Sequence, residues 1–190
     1  MRIITGTAKG CRLKVPKGMD TRPTADRIKE SLFNILGGKV RDRRVLDLFA
    51  GTGNLGLEAL SRGAACGLFV DRATEPLIRE NILHTRLSES AEVLRGDVFS
   101  IMGRLARERK SFDLVFCDPP YRKGLWERAL LFLDESPLFA EHGILVVEHG
   151  ADENDVPELG SLLCVRRERY GRTTQLRFFQ RREYLGGDGQ

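Results

Sequence analysis

Val45-Leu46-Asp47-Leu48-Phe49-Ala50-Gly51-Thr52-Gly53-Asn54-Leu55-Gly56 reads as a strand that runs straight into a glycine loop and then a helix. The apolar run is short and nearly continuous, as in a strand covered on both faces, and Gly51-x-Gly53-x-x-Gly56 lets backbone approach an adenosine-bearing ligand. The helix it opens is expected over Leu55 to Arg62, with Gly63 as its stop. Four further runs repeat the pattern: Gly67 to Asp71, Glu92 to Asp97, Phe112 to Asp118 and Gly143 to Glu148. Their spacing leaves room for a helix between successive runs, which predicts a parallel α/β sheet. Right-handed crossovers bring the carboxyl ends of such strands to one edge, where open α/β sheets bind ligands. Asp47, Asp71, Asp97 and Asp118 are therefore expected to converge there.

Outside this frame, Thr24 to Leu36 predicts a helix with Ile28, Leu32, Ile35 and Leu36 on one face, Thr24 as N-cap and Gly37-Gly38 as stop. A basic, hairpin-like segment from Arg2 to Lys17 precedes it. Leu162 to Arg167 and Thr174 to Arg181 read as two final strands. The length of 190 residues suits one domain: a hairpin extension over 1–20, a main domain over 21–185 and a disordered glycine-rich tail over 186–190. No apolar run is long enough for a membrane helix and the amino terminus lacks a secretory h-region, so a soluble, cytoplasmic protein is expected. Cys11, Cys66, Cys117 and Cys164 are scattered, and His84, His142 and His149 lack ligand spacing, so neither a disulfide framework nor a metal is expected.

Charge is unevenly spread. Residues 1–44 carry 12 basic and 4 acidic side chains, a net of +8; residues 45–160 net −8; residues 161–190 net +4. Two basic ends point to a polyanion such as RNA or DNA, because clustered Lys and Arg displace phosphate counterions.

The glycine loop alone serves dinucleotide-binding folds and methyltransferases alike. Asp47, at the same strand end, separates them: its carboxylate opposes a diphosphate and favours the ammonium and sulfonium of S-adenosylmethionine. Asp71, 20 residues past Gly51, is placed to bond ribose hydroxyls, with Arg72 beside it. Asp97 and the Val98 backbone are expected near the adenine. Gly51, Thr52 and Gly53 complete the candidate cofactor residues, and Phe49 joins them with less weight.

At the end of the fourth run stands Asp118-Pro119-Pro120-Tyr121. An exocyclic base amine is a poor nucleophile because its lone pair is delocalised into the ring. An Asp oxygen and the Pro119 carbonyl each accept one of its N–H groups and aim the lone pair at a methyl sulfonium. Two prolines remove competing backbone donors and stiffen the turn, and Tyr121 stacks on an extruded base. The same chemistry serves guanine or adenine. An adenine-N6 DNA methyltransferase is the main alternative, although no segment is long enough for a separate target-recognition domain. A non-catalytic RNA-binding factor would explain the charge map and leave the acids unused.

These motifs resemble the RsmD family of bacterial 16S ribosomal RNA guanine-N2 methyltransferases. The resemblance rests on Arg22-Pro23-Thr24-Ala25-Asp26-Arg27 with Leu32-Phe33-Asn34, on Asp47 to Gly53 with Gly56-Leu57-Glu58-Ala59-Leu60-Ser61-Arg62-Gly63-Ala64, and on Asp118 to Tyr121. It implies a class I S-adenosylmethionine-dependent methyltransferase fold, a Rossmann-like α/β seven-stranded, mostly parallel sheet with a small N-terminal β-hairpin extension. It further implies action on guanine 966 of 16S rRNA in an assembled or partly assembled small subunit, and Arg22 and Thr24 near the cofactor. Tyr121 stands where some members have Phe. The hairpin residues Arg2, Lys9, Arg12 and Lys14, with Arg122 beyond the tetrapeptide, are the candidate RNA contacts, and a monomer is expected.

Overall fold

Alternation of buried apolar strands with amphipathic helices builds the main part of the chain. The computed structural model describes residues 1–16 and 23–184, with side chains for 1–16 and 26–183. The elements are α1 (Pro23–Leu36), β1 (Arg44–Leu48), α2 (Asn54–Ser61), β2 (Cys66–Asp71), α3 (Glu75–Thr85), β3 (Ala91–Arg95), α4 (Val98–Arg107), β4 (Phe112–Cys117), α5 (Leu125–Glu135), β5 (Phe139–Gly150), β6 (Leu162–Tyr170) and β7 (Thr174–Arg181). The sheet has seven strands, and two compact units divide the chain at residues 98 and 99. Among the described residues no helix is long and apolar enough to cross a membrane.

In the first unit the strand order is β3-β2-β1, all parallel, with Asp47 opposite Phe69 and Asp71 opposite Arg95. Val45, Leu46 and Leu48 are fully buried, as a strand covered on both faces requires. Helix α1 starts at Pro23, a residue suited to a first helical position because its missing N–H has no intrahelical partner to lose. Thr24 thus falls inside the first turn instead of capping it. Phe33, fully buried under the Arg62 guanidinium at 4.7 Å, takes the core place expected for Ile35, which is half-buried. The expected tail at 186–190 and the end of the expected hairpin at Lys17 lie outside the described residues.

Residues 1–16 do form a hairpin. Arg2 and Arg12 make an antiparallel bridge, the Ile3 N–H donates to the Cys11 carbonyl at 2.9 Å, and the Leu13 N–H donates to Met1 at 3.1 Å. Its apolar side chains Ile3, Ala8 and Leu13 are buried. The polar anchor is Glu58 in α2, whose carboxylate accepts the Ile4 N–H at 2.7 Å, the Thr5 N–H at 3.0 Å and Arg62 Nε at 2.8 Å. Lys29 Nζ in α1 pairs with the same carboxylate at 3.2 Å and donates to the Arg2 carbonyl at 2.6 Å. Both Glu58 and Lys29 are buried, and burial lowers the Lys29 ammonium below its usual range despite the Glu58 charge. At Gly6, with φ +91°, a Cβ would lie 1.7 Å from the Ser61 carbonyl oxygen, so only glycine lets the hairpin come this close to α2.

In the second unit the order is β4-β5-β7-β6, with β4 and β5 parallel and β7 antiparallel to both of its neighbours. Strand β5 starts at Phe139, earlier than the apolar run at Gly143 suggests, because Phe139 pairs with Phe112 before the register shifts and Leu114 meets Ile144. Exposed Glu141 and His142 hide this in the sequence. Asp134 at the end of α5 receives the N–H groups of Gly160, Ser161 and Leu162, which fixes the entry to β6. Arg181 ties the same corner by donating to the carbonyls of Asp134, Ser136 and Phe139. Strand β6 pairs with β7 alone among the described strands and exposes Leu163 and Val165.

Glu58→Ala would leave Lys29 charged and buried without its carboxylate and strip the acceptor from two hairpin N–H groups. Removing one partner of a buried pair costs about 3–5 kcal/mol. Urea unfolding should therefore show a markedly lower midpoint; an unchanged midpoint would contradict the anchoring role.

Candidate active site

The loop after β1 turns sharply because three residues adopt left-handed backbone: Phe49 at φ +59°, Gly51 at +57° and Gly53 at +77°. For a bulky residue such as Phe49 this conformation is costly, and it persists because the surroundings fix it. The Ala50 N–H donates to the Val70 carbonyl at 3.0 Å and the Gly53 N–H to Ala50 at 2.7 Å. A Cβ on Gly51 would meet nothing nearer than the Phe49 carbonyl oxygen at 3.9 Å, so a ligand can lie against this backbone. Gly56 does something else. A Cβ there would stand 2.3 Å from Phe69 Cε1, so this glycine lets α2 pack on β2.

Three of the four expected acids belong to this first unit, at or just past the carboxyl ends of parallel strands. Half-buried Asp71 accepts the Gly51 N–H at Oδ2 (3.0 Å) and the Ala73 and Thr74 N–H groups at Oδ1 (2.8 and 2.9 Å). Burial alone would raise its pKa, but these N–H groups together outweigh burial and lower it, so Asp71 is ionised at neutral pH. Each carboxylate oxygen has room for about two hydrogen bonds, which leaves Oδ2 able to accept a ribose hydroxyl. Asp97 is exposed immediately before α4, whose first residue, Val98, is buried. Arg72 is exposed. Together, the open Gly51 backbone and the ionised Asp71 fit a nucleoside.

Asp47 behaves differently from its expected role as a standing negative charge. It is 3% exposed, its Oδ2 accepts the Gly56 N–H at 2.9 Å, and burial, opposed by that bond and reinforced by Asp71, pushes its pKa up to about 8. At neutral pH it is mostly protonated and holds the first turn of α2. Thr52 is buried: its hydroxyl lies 3.2 Å from Met1 Sδ and its carbonyl accepts Asn81 Nδ2 at 2.9 Å. Arg22 and the side chain of Thr24 lie outside the described residues.

Asn81 carries no motif and is absent from the sequence reading. Fully buried in α3, it accepts the Lys14 N–H at 2.8 Å and donates to the Lys14 carbonyl at 3.0 Å as well as to Thr52. It therefore ties the hairpin to the glycine loop. Lys29 makes a second tie through Asn54 Oδ1 at 2.7 Å.

In the second unit, Asp118-Pro119-Pro120-Tyr121 follows β4 directly. Asp118 and Pro120 are exposed, Pro119 is buried and Tyr121 is half-buried. The Tyr121 hydroxyl donates to Glu148 Oε1 at 2.7 Å and lies 3.3 Å from Thr174 Oγ1. Burial, the Glu148 charge and, more weakly, Asp118 raise the phenol pKa, so Tyr121 is neutral. Arg122 turns outward, its Nε donating to Asp152 at 2.9 Å.

This arrangement has close counterparts. The family model described as "Conserved hypothetical protein 95" matches residues 1–180. The Bacillus subtilis (strain 168) protein named "Putative rRNA methyltransferase YlbH" is 40% identical over 176 residues, covering 91% of this chain and 95% of that protein. "Ribosomal RNA small subunit methyltransferase D" of Escherichia coli (strain K12) is 37% identical over 183 residues, covering 95% and 90%. The chain belongs to the RsmD family. A solved structure described as "Putative methyltransferase yhhF from Escherichia coli" matches with a TM-score of 0.81 at 36% identity, over 95% of this chain and 97% of that one. The RsmD-family fold expected from the motifs, a mostly parallel seven-stranded sheet of Rossmann-like methyltransferase type, is the one present.

Because the folded pKa of Asp47 lies above the unfolded value of 3.8, the folded state holds a proton there that the unfolded chain has lost. Stability should thus fall as pH rises from about 4 to about 8 and level off above. Urea unfolding across that range should show this slope for the wild type but not for Asp47→Asn; parallel profiles would contradict the protonated assignment.

Proposed function

We propose that this RsmD-family protein transfers a methyl group from S-adenosylmethionine to the exocyclic N2 amine of guanine 966 in 16S rRNA, acting in the cytoplasm as a monomer on the small subunit or its assembly intermediate. The observation that carries the reading is the tetrapeptide: an exposed carboxylate, a buried proline and an aromatic ring anchored through its hydroxyl, in order, at the end of β4.

The chemistry follows from those groups. Asp118 and the Pro119 carbonyl accept the two N–H bonds of the amine and keep its lone pair on nitrogen. Neither proline offers an N–H to compete. Tyr121 supplies a face for the base. As the nitrogen becomes positive, Asp118 stabilises it and holds the proton it loses. S-adenosylmethionine would supply the methyl group on a sulfonium, which departs as a neutral thioether and so needs no protonation. Asp71 would hold its ribose, the Gly51 and Gly53 backbone its nucleoside, and Asp97 with the Val98 N–H its adenine. Phe49 and Arg72 would border it, as would Arg22 and Thr24 by family resemblance. Asp47 and Thr52 would serve the cofactor by shaping the loop and α2.

The hairpin supports an RNA partner. Arg2 and Arg12 are exposed and directly opposed across the bridge, and like charges so placed weaken a strand pair unless a polyanion neutralises them. Lys9 is exposed on the same hairpin. Lys14, 3.0 Å from Glu80, and Arg122, beside Asp152, are partly compensated and would contribute less to phosphate binding.

Two measurements test these assignments. Asp118→Ala should lower methyl incorporation into small-subunit rRNA by at least about a thousandfold with cofactor affinity unchanged, whereas Asp71→Ala should weaken cofactor binding. Mass mapping of the methylated nucleotide decides the base; N6-methyladenine as product would refute guanine. Neutralising Arg2, Lys9 and Arg12 together should weaken RNA binding and flatten its dependence on salt, the slope falling by up to about three. An unaltered slope would remove the hairpin from the RNA interface.

A further inference from the structure

Within the second unit, the parallel register pairs Cys117, the last residue of β4, with Val147; Asp118 follows Cys117 directly, and Glu148 follows Val147 inside β5. Glu148 is part-buried in a place where an apolar residue would fit the run Ile144-Leu145-Val146-Val147, and burial raises its carboxyl pKa. What it meets there is the Tyr121 hydroxyl at 2.7 Å, a separation typical of an O–H donating to a carboxylate. Thr174, the first residue of β7 and the partner of Gly150, closes the other side at 3.3 Å. The phenol is therefore fixed from two strands, and the ring of Tyr121 loses the freedom that an aromatic side chain in a loop otherwise keeps.

We infer that Glu148 is a positioning residue for methyl transfer, holding the Tyr121 ring as a fixed, electron-rich plate for the base. The inference rests on the proposed reading of the tetrapeptide. A preset ring removes an ordering cost that each bound base would otherwise meet. A phenol that donates to a carboxylate also carries more electron density on its face, and such a face attracts positive charge. That attraction grows as the amine nitrogen becomes positive, so it acts on the transition state more than on the bound base. Tyr121 in place of Phe thereby gains a consequence beyond stacking: its hydroxyl connects the plate to Glu148.

Steady-state kinetics on small-subunit particles test this with Tyr121→Phe, Glu148→Ala, Glu148→Gln and the double variant Tyr121→Phe/Glu148→Ala. Each of the first two should lower kcat about tenfold while KM for the particle moves less than about threefold and the cofactor Kd stays constant. The double variant should be no slower than the slower single one, because both remove the same contact. Glu148→Gln, isosteric and still an acceptor, should keep the fold and lose less than Glu148→Ala. Ultraviolet titration should show the Tyr121 phenol ionising at lower pH in Glu148→Gln than in wild type. Multiplying losses in the double variant, or an unchanged kcat in Glu148→Ala, would overturn the inference. Wild-type protein that forms no N2-methylguanine would remove the proposed function and this inference together; wild type that forms it while the variants act independently removes only the inference.

Discussion

The buried carboxylate of Glu58 organises the first unit. It receives two backbone N–H groups from the hairpin, the Arg62 guanidinium from the end of its own helix, just past Ser61, and the Lys29 ammonium from α1, so three segments distant in sequence meet on two oxygen atoms. Burying a carboxylate without such company would cost several kcal/mol. With it, the site admits few other arrangements: an apolar substitute would satisfy neither Lys29 nor the N–H groups of Ile4 and Thr5. Through Lys29 and Asn54, and through Asn81 and Thr52, the same polar system reaches the loop whose Gly51 backbone lies open. Hairpin and loop are thus held by shared groups, although neither hydrophobic pattern hints at the other.

Much of this was legible because parallel strands leave a strong imprint. Continuous runs such as Val45 to Leu48 and Leu114 to Cys117, each followed by a loop of the candidate site, announce the element and the edge of the sheet at which a ligand is to be sought. Asp71 was readable for the same reason: its position at the end of β2 and its spacing from Gly51 set it against the glycine loop, where its carboxylate accepts the Gly51 N–H. Less visible was anything set by burial. Asp47 reads as a charge because the sequence carries no dielectric, and only its enclosure shows that it holds a proton and receives the Gly56 N–H of α2. Thr52 reads as a loop residue open to a ligand, and its contacts with Met1 and Asn81 give it a structural part that the sequence does not carry.

Glu58, Asn81 and Glu148 escaped for a related reason. Glu58 sits in a helix pattern where an acidic residue normally faces water, Asn81 in a polar stretch of α3, and Glu148 at the end of an apolar run where any carboxylate looks like a strand terminator. Their partners lie 54, 67 and 27 residues away. A signal was present in principle, since an acid fixed within the core face of a helix is costly unless paired, but recognising it requires knowing which face is buried.

Strand β6 leaves one side without a partner among the described strands and shows Leu163 and Val165 to solvent, a combination that invites another chain to add itself edge to edge. Its second half answers that hazard. Arg166 and Arg167 follow the exposed pair directly, Arg169 comes two residues later, and the register shift between Cys164 and Arg166 breaks the regular edge at that point. Exposed cations and a broken register at an open edge both disfavour the addition of another strand, a form of colloidal protection that the residues of this last hairpin are of the kind to supply.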